Sequence, residues 1–98
     1  MAYKKTNPAI KYVDFIQLVA PLASFNSLEG NEYVVNSISG SIMTFTRMSS
    51  GEQWKMDLKQ VLKAYHELTD FKTVNFKPYV PLTHSPALGL LLKVGLLR

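Results

Sequence analysis

The sequence of 98 residues contains no cysteine. Disulfide staples, thiolate metal sites and thiol nucleophiles are thereby excluded, so side-chain packing has to hold the fold together; the absence fits a reducing, cytoplasmic setting. Histidine occurs only at His66 and His84, which leaves few placements for imidazole chemistry. The five glycines (Gly30, Gly40, Gly51, Gly89, Gly95) are scattered and form neither a phosphate-cradling loop nor a dinucleotide fingerprint, so no cofactor is expected. Long apolar runs are missing too. The richest stretch, residues 10–25 behind Lys4 and Lys5, is interrupted by Lys11, Asp14, Gln17 and Pro21. It falls short of the roughly 20 apolar residues of a membrane span and makes a poor signal peptide, so no membrane association is expected.

What is present suffices for one core. Apolar residues make up 47% of the chain and charged residues 18%, enough hydrophobic material to offset the ordering entropy of a single small domain over residues 1–98. The net charge of +4 is unevenly placed. Acids and bases cancel up to Trp54, and the whole excess falls beyond it, on Lys55, Lys59, Lys63, Lys72, Lys77, Lys93 and Arg98 against Asp57, Glu67 and Asp70. These six lysines are the candidate contacts for a nucleic-acid backbone.

Local patterns predict an α+β domain: a helix, a three-stranded antiparallel meander, then two or three helices. Asn7 followed by Pro8 reads as a helix start, with the helix running to residue 20 and apolar on nearly every side. Residues 32–38 and 41–48 are rich in β-branched and aromatic side chains and are separated by Ser39 and Gly40, a hairpin signal. Trp54, Met56 and Leu58 then alternate with polar residues as in a half-buried strand. At Asp57 the period changes, because Leu58, Val61, Leu62, Tyr65 and Leu68 have the spacing of one helix face. Residues 71–81 are ambiguous, with a short helix opened by Thr73 favoured. Ser85 and Pro86 suggest the cap and first turn of a last helix over 86–94, closed by Gly95.

Three constellations invite a chemical reading. His66 and Asp70 are spaced to share a helix face, but they supply only half of a metal site, and no metal is expected. His84 next to Ser85 suggests a base and a nucleophile, yet Pro86 explains Ser85 more simply as a cap, and no catalysis is expected. Tyr33, Phe45, Arg47 and Trp54 fall on one face of the meander, where they form either part of the core or a stacking platform for single strands.

The order of elements over residues 57–98, a long amphipathic helix, the segment TVNFKPYV and then SPALGLLLKVGLLR, resembles the three-helix core of winged-helix DNA-binding domains. The resemblance implies that Ser85, Ala87, Gly89, Leu90 and Lys93 lie on the helix that enters the major groove. The leucine-rich last helix also predicts leftover apolar surface, hence a homodimer joined through Leu90, Val94 and Leu97. The sequence thus points to a non-catalytic binding module, for a protein partner or a second copy of itself, with nucleic acid as the alternative ligand.

Overall fold

A computed structural model describes residues 3–98. The elements are α1 (Tyr12–Val19), β1 (Ser24–Asn26), β2 (Glu32–Ser39), β3 (Ile42–Arg47), β4 (Gln53–Asp57), α2 (Leu58–Glu67), a 3-10 turn at Thr73–Phe76, and α3 (His84–Lys93). The fold is α+β as expected, but the antiparallel sheet has four strands in the order β1-β2-β3-β4 rather than three. The extra strand is a three-residue piece that the sequence pattern could not show, since alternation needs more positions than that.

Strand register decides which side chains meet. Phe25 pairs with Tyr33, Val35 with Phe45, Phe45 with Trp54, and Met43 with Met56. Residues directly opposite one another share a face, so these form the inner face of the sheet. The rings of Phe25, Tyr33 and Phe45 lie 5.3 to 5.5 Å apart between centroids, inside the favourable range for aromatic pairs. A bulge between Val35 and Ser37 shifts the register so that Ile38, opposite Met43, returns to the inner face. The β2–β3 hairpin turns through Gly40 and Ser41, with Gly40 at φ +61°, a conformation that favours glycine at the first position of so tight a loop.

The helices cover that inner face. The Asp57 carboxylate caps α2 by accepting from the Lys59 amide at 2.9 Å, and α2 buries Leu58, Val61, Leu62 and Tyr65 of the predicted stripe together with Ala64, while Leu68 falls just past the helix as its half-buried C-cap. The short helix foreseen at Thr73 is the single 3-10 turn.

The first helix differs from expectation. It starts at Tyr12 because the Asn7 amide donates to the Tyr65 hydroxyl at 3.2 Å and residues 7–10 form a separate turn. Only Phe15 and Val19 of α1 are buried, while Val13 and Leu18 are exposed. It is therefore an ordinary amphipathic helix and not one enclosed on all sides.

The last helix starts at His84, and its C-terminus closes through Gly95 at φ +80°. Its apolar circumference is absorbed within the chain: Leu90 is 0% exposed and Leu97 2%, with Val94 half-buried. This corrects the self-contact expected through Leu90, Val94 and Leu97, because α3 packs its Gly89 directly on β1 and leaves those leucines in the core. Beyond α3 the chain returns to its own beginning. Lys4 and Arg98 exchange two backbone hydrogen bonds of 3.0 Å, and the Thr6 amide donates to Leu96 at 2.9 Å. Among the described residues no helix is long and apolar enough to cross a membrane.

Candidate binding cleft

Alternation along β3 turns Met43, Phe45 and Arg47 to the same face, so an arginine takes the last inward position of the strand, opposite Tyr33. Its aliphatic stem extends the aromatic core toward the end of the sheet. The Arg47 Nη2 donates to the Asn31 side-chain oxygen at 3.2 Å, whereas Nε is shut off from solvent and has no hydrogen-bond partner. Arg47 forms no ion pair; the one found among the described residues joins Lys72 and Asp70 at 3.7 Å on the surface.

The start of α3 faces this arginine across a cleft of about 190 Å³. Thr83, not Ser85, holds the N-cap position, and no side chain caps the helix. Ser85 therefore lies within the first turn, and its hydroxyl oxygen is buried without a partner. The expected capping role is corrected, and Ser85 joins Arg47 among the residues that line the cleft. His84 donates from Nδ1 to the Pro81 carbonyl at 2.9 Å, which fixes the ring beside the cleft. Asn31, Tyr33, Trp54 and Pro86 complete the walls, with Glu29 and the 77%-exposed Leu82 at the rim.

The cleft thus offers a guanidinium and an amide side chain against aromatic and prolyl walls. Ser85 has no hydrogen-bonded base to activate it, so the arrangement can hold an acceptor group but lacks the nucleophile-and-base geometry of acyl transfer.

The aromatic platform of the sequence is gathered on one sheet face, but on the buried one. Phe45 is 0% exposed and Tyr33 5%, which removes an open stacking surface; Tyr33, Arg47 and Trp54 instead line the cleft. Asn31, Glu29 and Ser85 joined them unforeseen. The sequence signal for the site was the grouping of Tyr33, Arg47 and Trp54 on one face of the meander, with Arg47 a charge in the inward phase of its strand.

The six lysines are dispersed. Lys59 and Lys63 share a groove of about 340 Å³ with Tyr12 and Leu62, and the Lys59 ammonium lies 5.8 Å from the Tyr12 ring centroid. Lys55 stands on the outer sheet face opposite Thr44, Lys72 is held by Asp70, Lys77 follows the 3-10 turn, and Lys93 ends α3.

The groove-entering positions implied by the winged-helix resemblance do not form an open face, since Ala87 and Leu90 are 0% exposed and Gly89 is buried. The middle element is also a single 3-10 turn rather than a helix. The half-site at His66 and Asp70 is likewise undone: α2 ends at Glu67, and His66 donates from Nε2 to the Ile10 carbonyl at 2.8 Å.

Compared with known protein families, characterised proteins and solved structures, the chain matches none.

Proposed function

We propose that the chain is a non-catalytic protein-interaction module whose cleft between the end of the sheet and the start of α3 takes one anionic group of a partner. The observation that carries this reading is Arg47, a half-buried guanidinium with no carboxylate and an unpartnered Nε. Burying part of a charge is costly unless it is paired, and a carboxylate or phosphate oxygen pairs with the terminal nitrogens of the guanidinium, beyond the buried Nε, through a charge-assisted hydrogen bond. At about 190 Å³ the cleft is smaller than the roughly 300 to 1,000 Å³ of sites that enclose whole small molecules, which suits one group projecting from a larger partner. Trp54 and Arg47 are also of the residue types that dominate protein interfaces, and Leu82 extends the contact at the rim.

The test uses Trp54, the single tryptophan of the chain. Titration with short peptides carrying aspartate, glutamate or phosphoserine is expected to change Trp54 emission and raise the melting temperature, as any ligand of the folded state does. Arg47→Met should abolish both effects, whereas Lys59→Ala with Lys63→Ala should preserve them. No response of the native protein to any anionic peptide at millimolar concentration removes this reading.

A further inference from the structure

The cleft holds two opposite charges that do not meet. Arg47 lies half-buried within it and Glu29 stands exposed at its rim, and no ion pair joins them. In so small a space, that arrangement suits a ligand bringing a negative group for the guanidinium and, a few atoms away, an N–H donor for the carboxylate. A polypeptide has this combination at its last residue, where the carboxylate and the backbone N–H are joined through a single carbon. An internal aspartate or glutamate instead presents its carboxylate at the end of a flexible side chain. A phosphate adds negative charge that Glu29 opposes.

Trp54 and Pro86 give the cleft apolar walls, and Leu82 gives it an apolar rim, which accommodate a hydrophobic side chain. Resting on the reading of the cleft as an anion site for a protein partner, we propose that it captures the carboxyl-terminal residue of a partner polypeptide, one with an apolar side chain. The carboxylate accepts from the terminal guanidinium nitrogens of Arg47, and the terminal backbone N–H donates to Glu29. Capture of a chain end through its carboxylate is an established mode of peptide recognition.

The experiment is a Trp54 fluorescence titration with three sets of short acetylated peptides: free acids ending in leucine or phenylalanine, the same sequences as terminal amides, and amide-capped peptides with an internal glutamate or phosphoserine. The free acids are expected to saturate, and the amides to bind at least about tenfold more weakly, the scale of one charge-assisted hydrogen bond. Arg47→Gln should abolish the response and Glu29→Gln weaken it by a few fold, with circular dichroism and melting curves showing that each variant is folded. Arg47→Met, expected to abolish the response likewise while its stem keeps the packing beside Tyr33, replaces Arg47→Gln if that variant does not fold. Equal binding of acids and amides overturns the proposal. Tighter binding of the internal glutamate or phosphoserine peptides overturns it while leaving the anion cleft standing. Silence toward all three sets overturns both.

Discussion

Gly89 of α3 lies against the backbone of Asn26 in β1, so close that a Cβ on residue 89 would overlap the Asn26 carbonyl oxygen and stand 3.0 Å from the Ser27 Cα. A glycine inside a helix ordinarily costs about 1 kcal/mol relative to alanine. Here that cost permits helix and edge strand to approach at backbone distance. Gly89→Ala is accordingly expected to destabilise, because the obstructing atoms are main chain and cannot rotate away. Overpacking of this kind costs roughly 1 to 3 kcal/mol, which exceeds the gain in helix propensity. Urea denaturation measures it, and a variant as stable as the native protein would show that α3 slides on β1 without penalty.

Tyr65 ties both ends of the chain to α2. Its hydroxyl donates to the Leu96 carbonyl at 3.0 Å and accepts from the Asn7 amide at 3.2 Å. In Tyr65→Phe the Leu96 carbonyl keeps the Thr6 amide as a donor, and exposed Asn7 can turn to water. The expected cost is therefore near the typical net value of about 1 kcal/mol and not that of a stranded buried group. Hydrogen exchange should accelerate at the Lys4 and Arg98 amides, which bond to each other's carbonyls, and stay unchanged in β3. Uniform acceleration across the sheet contradicts a local clasp.

The legible parts of the fold were those with a sustained period. Leu58, Val61, Leu62 and Tyr65 repeat over enough turns to fix α2, and Gly40 and Gly95 marked a hairpin and a helix end through backbone conformations they alone adopt easily. The first strand escaped because three residues carry no period. The last helix misled because a stretch of leucines says that a surface is buried without saying by what; here the answer is the chain's own sheet and terminal segments. The cleft was half legible. Tyr33, Arg47 and Trp54 were placed together by alternation, but Ser85 reaches them only through tertiary packing, and its neighbour Pro86 favoured the wrong position for the cap.

Tyr12 gives the domain an alkaline sensitivity. Burial, with a smaller contribution from the Asp57 carboxylate, holds its phenol above the ordinary value of 10.0. A group whose folded pKa is raised binds its proton more tightly in the native state. The stability it contributes is thus fully present below pH 10 and is lost as pH rises from there through the folded pKa. The Tyr12 hydroxyl is also buried without a hydrogen-bond partner, so Tyr12→Phe should cost little at neutral pH. Denaturation curves at pH 8 and above pH 10 should show a smaller alkaline loss in the variant than in the native protein. Identical losses exclude Tyr12 as the source.

Arg47 separates binding from stability. Its Nε occupies a buried position without a partner, a condition that carries a desolvation cost, while its stem contributes apolar packing beside Tyr33. Methionine retains a stem of similar reach and removes the charge. It also gives up the hydrogen bond to Asn31, a residue with access to solvent that can replace the lost donor with water. These contributions offset one another, so Arg47→Met is expected to leave the unfolding free energy within about 1 kcal/mol of native, or to raise it. A purely structural arginine predicts the opposite, a clear loss on substitution. Urea denaturation and anionic-peptide titration on the same variant distinguish the two: preserved or increased stability with a lost Trp54 response marks Arg47 as a binding residue, whereas a loss of about 2 kcal/mol or more assigns it to the fold.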